Sequence, residues 1–362
     1  MSEKSSLRAG MISWAHIHAE FRSKALSEIP GAEVVAVADD NIERGKSAAE
    51  RFNVPHFHAD WRDLVARQDI DVVFVHSENN AHVDQVVMAA EYGKDIFCEK
   101  PMATTLDDAD RMVKAADDNN VELTVAFVSR FAQEAERAKQ IVDSGILGDI
   151  VSARSIIGLA GLAEIGCPAD MVSWMEDPVT GGGGAWIDEG SHAIDLLRWL
   201  AGDIESISML MTKKVKTHLP VEDEAIALLR FANGALGEVN TSWSLAIDVG
   251  MRNVTELYGS KGSLILENTS NSPRVAVYTE GLRPELNGWV EPHIVPAVTE
   301  PHDYQSWPPH IHHYKREVSS YVSRYLSGEK PYGPTGIDGR ECLAALLAGY
   351  KSAESGILES VR

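Results

Sequence analysis

Short apolar runs alternate with amphipathic stretches over the first 130 residues of the chain. The apolar runs lie at residues 7–13, 33–38, 71–75, 94–98 and 122–127. The amphipathic stretches lie at residues 15–29, 41–52, 80–92 and 106–119. Apolar strands that alternate with helices are typical of a parallel sheet covered on both faces. We therefore predict a doubly wound α/β domain over residues 1–130, with its ligand at the carboxyl ends of the strands.

The pattern changes after residue 149, where strand-like runs follow one another with few helices between them. They cover residues 204–211, 225–231, 236–243, 253–258 and 263–267. Turn residues such as Asn233-Gly234 separate them. This pattern predicts an α+β domain over residues 131–362, built on a large, open, mainly antiparallel sheet. A long loop is predicted at residues 284–309, which are rich in proline, and the helices predicted at 312–326 and 339–355 are candidates to pack back on the first domain.

Composition narrows the class of protein. A chain of 362 residues is long enough for two domains. Its net charge of -21 would repel the phosphates of nucleic acid or of an anionic membrane, so neither is an expected partner. The three cysteines, Cys98, Cys167 and Cys342, are odd in number and far apart, which argues against a disulfide framework. Because no signal peptide or membrane-spanning stretch is recognisable, we expect a cytoplasmic protein.

The first strand runs into a helix through the segment Ser13-Trp14-Ala15-His16-Ile17-His18. Rossmann turns usually carry G-x-G-x-x-G here, and this chain has Ser, Ala and His at the three glycine places. Ser13 and Ala15 are small, so a phosphate could still approach the N–H groups at the start of the helix. On this segment alone, a turn that binds nothing is an equally good interpretation.

Asp39 follows the second predicted strand and gives a stronger indication. A carboxylate at this place can accept hydrogen bonds from the adenosine ribose and would repel a 2′-phosphate. No arginine follows it directly, and Arg44 lies a turn further along the predicted helix. This favours NAD over NADP. The alternative is that Asp39 or Asp40 only caps the helix.

Two further motifs suggest catalysis. Glu99-Lys100-Pro101 follows the strand at 94–98, at the sheet edge where ligands bind, although it could also be a surface ion pair beside a turn. After the glycine run at 181–184, Asp188, His192 and Asp195 fall on one helix face. A carboxylate beside an imidazole suits general acid–base catalysis. The alternative is a capping Asp188 and a His192 that only packs in the interior.

In this order, the motifs resemble those of the Gfo/Idh/MocA oxidoreductases, the relatives of glucose-fructose oxidoreductase and inositol dehydrogenase. The resemblance covers nearly the whole chain. It is carried by the strand–turn–helix with Asp39, by Ser77-Glu78-Asn79-Asn80-Ala81-His82, by Glu99-Lys100-Pro101 and by GGGGAWIDEGSHAIDLLRWLAG from residue 181.

The resemblance implies a role for each matching residue. Lys100 would contact the substrate and the nicotinamide region, and His192 would accept the proton of the alcohol with Asp188 as its partner. The residues expected to line the cofactor are Ser13, Trp14, Ala15, His16, Ile17, Asp39, Ser77, Asn79, His82, Glu99 and Lys100. Arg130 is a candidate substrate contact or structural contact. The chain departs from the family pattern at Glu78, where a proline is usual, and at the three turn glycines, which in the family lie against the pyrophosphate.

Other side chains receive a plainer interpretation. His16 and His18, His56 and His58, and the group His310, His312 and His313 have metal-like spacings but no carboxylate or cysteine nearby in sequence, so we predict no metal. Tryptophans could stack on a sugar ring, and Trp174 is the candidate for substrate contact. Core packing is the commoner use of Trp174, Trp186, Trp289 and Trp307.

Three functions follow. The leading one is an NAD-dependent dehydrogenase that oxidises a secondary alcohol of a sugar, sugar derivative or cyclitol. The alternative is an NAD-dependent glycoside hydrolase that oxidises, eliminates, hydrates and reduces in one cycle. A non-catalytic sensor ranks last, because Lys100 and His192 are both present. The open sheet and the family resemblance predict a homodimer or homotetramer that binds a small sugar, glycoside or polyol.

Overall fold

The protein is described by a computed structural model that covers residues 5–247, 251–267, 274–279, 293–296 and 312–361. Over these residues the chain forms two compact units. Unit 1 contains the chain up to Val128, then Cys167–Gly182 and His313–Leu343. Unit 2 contains Ser129–Gly166, the described residues between Gly183 and His312, and the chain from Ala344 onward.

Unit 1 is built on a parallel sheet of six strands in the order β3-β2-β1-β4-β5-β6. The strands are β1 (Leu7–Ile12), β2 (Ala32–Ala38), β3 (His56–His58), β4 (Val72–Val75), β5 (Asp95–Cys98) and β6 (Leu123–Val125). The order reverses between β1 and β4, and in open α/β sheets the crevice at such a point binds the ligand. All four residues of β4 are buried, as expected for a central strand covered on both faces.

Helices follow most of these strands. They are α1 (His18–Glu28), α2 (Ile42–Arg51), α3 (Trp61–Val65), α4 (His82–Glu91) and α5 (Leu106–Asp118). Two later helices also belong to unit 1: α7 (Ala169–Met175) and α9 (His312–Ser327), of which only the first residue lies in unit 2. Side chains cap three of the helices of unit 1: Asn41 accepts a hydrogen bond from the Arg44 amide, Asp60 accepts one from the Arg62 amide, and Thr105 accepts one from the Asp108 amide.

The predicted α/β fold is confirmed, but three short elements of unit 1, β3, α3 and α7, were not predicted. β3 was not predicted, because it is only three residues long and two of them are histidines. Helix α3 has five residues, too few for a periodic pattern to be recognised. The predicted helix at 312–326 is present as α9.

Unit 2 contains a nine-stranded sheet in the order β14-β13-β12-β11-β7-β10-β9-β8-β15. The strands are β7 (Ile150–Gly158), β8 (Ile204–Thr212), β9 (Glu224–Phe231), β10 (Leu236–Ser242), β11 (Arg252–Gly259), β12 (Gly262–Glu267), β13 (Arg274–Thr279), β14 (His293–Pro296) and β15 (Glu359–Ser360). Only β7 and β10 pair in parallel, so the predicted mainly antiparallel sheet is confirmed.

Helices cover one face of this sheet. Helix α8 (Ala185–Ala201) packs on β7, β10 and β9, and α6 (Gln133–Asp143) packs on β12 and β13. Helix α10 (Gly336–Ser355) begins in unit 1 and ends in unit 2. On β9 buried and exposed residues alternate, so that Ile226 and Leu228 lie on the uncovered face.

The predicted long loop at 284–309 is wrong in one part, because β14 lies within it and pairs with β13. The rest of that stretch lies outside the described residues, as do Trp289, Trp307 and His310. Cys98, Cys167 and Cys342 form no disulfide in the described structure. Every described helix is too short or too polar to cross a lipid bilayer.

Candidate active site

The turn after β1 has a positive φ at Ser13, where the sequence lacks the glycine usual in a dinucleotide-binding turn. Ser13, at the place of the first glycine, has a φ of 67°, which glycine adopts at much lower cost. Its amide donates to the Ala38 carbonyl (2.7 Å) and its hydroxyl accepts from the Ala15 amide (3.0 Å). The hydroxyl bond holds the turn in place and partly offsets the strain of the positive φ.

The amides of this turn differ in how strongly they are bound. The His16 amide donates to the His76 carbonyl (3.1 Å). By contrast, the Ile17 amide meets only the thioether of Met171 (3.4 Å), and the His18 amide meets the ring of His16 (3.2 Å). A thioether sulfur is a weak acceptor. The Ile17 and His18 amides lie at the start of α1, where the helix dipole favours an anion, and a phosphate could replace their present acceptors.

Asp39 lies directly after β2 and is buried. Its Oδ2 accepts from the Trp14 amide (2.8 Å), and its Oδ1 accepts from the Asn41 amide (2.9 Å). The same carboxylate also holds Arg44, which donates through Nε (3.0 Å) and Nη2 (2.8 Å). The aspartate thus ties the turn after β1 to the start of α2.

The segment after β4 is buried and internally bonded. Ser77 donates to the Gln85 side chain (2.7 Å), and Asn79 donates from Nδ2 to the Gly181 carbonyl (2.8 Å). The ring of His82 lies between the carbonyls of Ser77 (3.1 Å) and Met102 (3.3 Å), so it ties this segment to the one after β5. The Oδ1 of Asn79 is buried and has no hydrogen-bond partner among the described residues, which leaves one acceptor at the ligand edge of the sheet.

Glu99 and Lys100 follow β5, and both are buried. The Oε1 of Glu99 accepts from the Lys100 amide (3.0 Å), while its Oε2 meets the Arg22 guanidinium and lies 3.2 Å from His18 Nδ1. Burial alone would raise the pKa of the Glu99 carboxyl, but Arg22 and His18 hold that pKa well below its usual range. Glu99 is therefore an anion at neutral pH, and the Lys100 backbone is fixed to it.

Arg22 and Glu317 complete this charge network, and sequence reasoning missed both. The guanidinium of Arg22 is fully buried and donates from Nε to Glu317 Oε2 (3.0 Å), between the rings of Phe97 and Tyr314. Burial raises the pKa of Glu317 to about 7, against the pull of Arg22. The available signal was a charged residue on the apolar face of an amphipathic helix, with Arg22 on α1 and Glu317 on α9.

Several histidines lie at the same edge. His16 and His76 are buried, and burial lowers the pKa of each well below its usual value, so both are neutral. His16, His18 and Glu99 are a group of potential metal ligands whose donor atoms lie within 4.8 Å of one another. The carboxylate that sequence reasoning found lacking is thus supplied by Glu99 from a distant strand. An ion there would have to compete with Arg22 for Glu99, so we assign these residues to the charge network.

In unit 2, a buried glutamate holds the start of α8. The Glu222 carboxylate accepts from the amides of Gly184 (3.1 Å) and Trp186 (2.9 Å), and from the Tyr350 hydroxyl (2.8 Å). Burial raises the pKa of Glu222 despite these hydrogen bonds. A Cβ on Gly184 would lie 2.0 Å from the Glu222 carbonyl oxygen, so glycine is required there. The end of the glycine run thus serves a close approach of backbone to backbone.

The three polar residues predicted on one face of α8 are all buried. Asp188 Oδ2 accepts from the indole of Trp243 (3.2 Å), and His192 Nδ1 lies 3.3 Å from the Ser129 hydroxyl. Sequence reasoning assigned no role to Trp243 or to Ser129, although Ser129 directly precedes the candidate contact Arg130.

The third of these residues, Asp195, forms a two-point ion pair with Arg130, at 2.8 Å and 2.6 Å. This pair ties the start of unit 2 to α8, so the structure gives Arg130 a positioning contact. Trp174, the other candidate substrate contact, is in unit 1, buried, and donates to the Ala15 carbonyl (3.2 Å). Trp186 is a core residue whose indole donates to the Leu346 carbonyl.

Comparison with known families agrees with this geometry. Residues 7–127 match the profile described as "Oxidoreductase family, NAD-binding Rossmann fold". Unit 1 has the strand order and the acidic residue after β2 of such domains. The chain is therefore an NAD-binding oxidoreductase. Residues 135–265 match the "GFO/IDH/MocA C-terminal domain", so the chain belongs to the Gfo/Idh/MocA family.

Relatives with known activities are similar over much of the chain. Levoglucosan dehydrogenase of Pseudarthrobacter phenanthrenivorans is 30% identical over 253 residues, which is 63% of each chain. Myo-inositol 2-dehydrogenase of Thermotoga maritima is 25% identical over 96% of each chain. A solved structure of levoglucosan dehydrogenase with NADH and levoglucosan superposes with a TM-score of 0.85 and 26% identity, over 98% of this chain and 99% of the other.

The raised pKa of Glu317 predicts how stability depends on pH. A folded-state pKa near 7, above the ordinary value of about 4.5, means that the folded protein keeps a proton that the unfolded chain has lost. The stability contributed by this group is therefore lost as pH rises from about 4.5 to 7. Since glutamine resembles the protonated carboxyl, Glu317→Gln should gain on the order of 1–3 kcal/mol relative to wild type between pH 5 and pH 8.

The measurement is urea unfolding of both proteins at several pH values. The buried neutral histidines change the free energy of unfolding below pH 6.5, and they do so in both proteins. Their contribution therefore cancels when the free energies of the two proteins are subtracted. The exposed Glu91→Gln is the matched control and should run parallel to wild type. Parallel curves for wild type and Glu317→Gln would contradict the prediction.

Proposed function

We propose that the protein is an NAD-dependent dehydrogenase that oxidises a secondary alcohol of a sugar, sugar derivative or cyclitol. Residues 1–130 would form the NAD-binding domain and residues 131–362 the substrate-binding and oligomerisation domain. The observation that carries the proposal is the buried pair of polar residues on α8, Asp188 and His192, one helical turn apart. The levoglucosan and inositol dehydrogenases among the relatives support the substrate class.

The residues that would hold NAD fit its parts. The weakly bound amides of Ile17 and His18 suit the pyrophosphate, and Asp39 suits the adenosine ribose. The buried Oδ1 of Asn79 is an acceptor for an amide such as the carboxamide of nicotinamide. The turn after β1 would be shaped by Ser13, Trp14, Ala15 and His16. The loops after β4 and β5 would be held in place around the cofactor by Ser77, His82 and Glu99. When bound, NAD supplies the carbon that accepts a hydride.

His192 would take the hydroxyl proton as the hydride leaves. A buried imidazole next to hydrogen-bonding groups has a defined orientation, and its ordinary pKa lies close to neutral pH. Ser129 holds one ring nitrogen of His192, and Trp243 holds the Asp188 carboxylate. Asp188 would stabilise the protonated imidazole. Lys100, whose amide is fixed to Glu99, would bring a positive charge to the oxygen of the substrate.

Replacement of the proposed base should separate catalysis from binding. His192→Ala should lower kcat by roughly two to four orders of magnitude, because proton transfer by a positioned side chain contributes about that much. The dissociation constant of NAD should barely change. Lys100→Ala should lower kcat and also raise KM. Asp188→Asn should lower kcat by a smaller factor than His192→Ala does.

The assay is NADH formation on a panel of polyols and glycosides, and His218→Ala, an exposed histidine in the same unit, is the control. Loss of thermal stability with normal kcat in the folded fraction would contradict the roles of Asp188 and His192. Release of sugar from a glycoside without net NADH would point instead to the redox-neutral hydrolase, and NAD binding without turnover would point to a sensor.

Asp39 should make NAD the preferred cofactor, because its carboxylate would repel a 2′-phosphate. Calorimetric titration should give a lower dissociation constant for NAD than for NADP. Asp39→Ala should bring the dissociation constants of NAD and NADP closer together. Equal or tighter binding of NADP by the wild type would contradict this prediction.

The uncovered sheet face should form a subunit interface. Leu210, Ile226 and Leu228 are exposed neighbours on β8 and β9, and adjacent exposed leucine and isoleucine side chains mark a contact surface. We expect a homodimer or homotetramer. Leu228→Glu should place charges in the interface and shift the mass measured by light scattering towards the monomer.

The control is Leu358→Glu, because Leu358 is as exposed as Leu228 but lies outside this strand pair. A monomeric wild-type protein at micromolar concentration would refute the prediction.

A further inference from the structure

Arg44 occupies the carboxylate on which NAD preference is expected to depend. Each oxygen of Asp39 accepts one bond from a backbone amide and one from Arg44, and the Arg44 bonds measure 3.0 Å and 2.8 Å. A carboxylate offers about four acceptor positions. The four bonds fill these positions, so a ribose hydroxyl would reach Asp39 by replacing one of the Arg44 bonds, and the cation partly screens the charge that should repel a 2′-phosphate.

A second carboxylate shares the same guanidinium. Arg44 Nη1 donates to Asp170 Oδ2 at 2.8 Å, and its Nη2 lies 3.6 Å from the exposed Asp40. Both Arg44 and Asp170 belong to unit 1. One positive charge is thus divided among three carboxylates, which leaves the cluster with a net charge of about -2 if all are ionised. Arg44 weakens the negative field there without reversing it.

This arrangement does not serve the start of α2. The helix is already capped by Asn41, whose side chain accepts from the Arg44 amide (3.1 Å). The Arg44 side chain is therefore not needed for the cap. Its guanidinium bonds reach Asp39, which precedes the helix, and Asp170, which lies 126 residues away in the sequence. These contacts place the cation beside the carboxylate at the end of β2.

We propose that Arg44 is a specificity-determining residue of the cofactor site, and that its guanidinium, shared between Asp39 and Asp170, sets how strongly a 2′-phosphate is excluded. In the pair, Arg44 screens Asp39. When a 2′-phosphate is present, the guanidinium can donate to it through the same Nε–Nη2 edge that now holds Asp39. Asp170 competes with the 2′-phosphate for the Arg44 guanidinium, and so limits how much Arg44 can favour NADP. NAD remains preferred, but NADP is excluded less than Asp39 alone would dictate.

The test is the ratio of the dissociation constants of NADP and NAD, measured by calorimetry without any substrate. Arg44→Ala exposes an unscreened carboxylate and should raise the ratio by about tenfold or more. Asp170→Asn frees Arg44 and should lower the ratio several-fold. Arg44→Lys keeps the charge without the two-point geometry and should fall between Arg44→Ala and wild type. Lys46→Ala removes an exposed cation from the same helix and should leave the ratio unchanged.

The outcomes are distinct. If Arg44→Ala changes the affinity for both cofactors by the same factor, the residue is structural and the proposal is overturned. The proposal rests on the assignment of Asp39 to the adenosine ribose. If Asp39→Ala leaves the ratio unaltered, that assignment fails. Because no sugar is present, neither result depends on the substrate class of the enzyme.

Discussion

The structure of unit 1 depends on one buried anion, the carboxylate of Glu99. Moving an ion out of water costs several kcal/mol or more, so it must be paired and hydrogen-bonded. The Glu99 carboxylate contacts Arg22 and the ring of His18, which lie on α1, and it accepts a hydrogen bond from the amide of Lys100, which follows β5. Through this one group, the start of α1 and the loop after β5 are fixed to each other. These are the two segments that, by the proposed function, hold the cofactor and present Lys100.

A similar constraint governs the helix that carries the proposed base. Glu222 is buried at the start of α8 and binds the amides of Gly184 and Trp186, which a helix leaves without partners in its first turn. Further along the same helix, Asp195 is paired with Arg130. Asp188 and His192 lie between these two anchors. A helix held at both places keeps the face that carries Asp188 and His192 in one orientation, which the proposed general acid–base role requires.

Sequence reasoning succeeded where a signal was local. The alternation of apolar runs and helices predicted the parallel sheet, and the spacing of Asp188, His192 and Asp195 predicted their common face. It failed where a contact joins distant residues. The partners of Arg22, Glu317, Trp243 and Ser129 lie far away in the sequence. A charge on an apolar helix face could have singled out Arg22 and Glu317, but no local pattern names their partners. The turn after β1 was located from the sequence, but its conformation was not. Ser13 adopts a positive φ, which is usual for glycine and which the residue type does not indicate.

The central claim is that the protein transfers a hydride directly from a carbinol carbon to nicotinamide. The most direct measurement uses the best alcohol of the substrate panel with deuterium on the carbon that is oxidised. The account predicts that the released NADH carries that deuterium at C4 and that kcat/KM falls relative to the unlabelled alcohol. Product formation with no deuterium on the nicotinamide would contradict it.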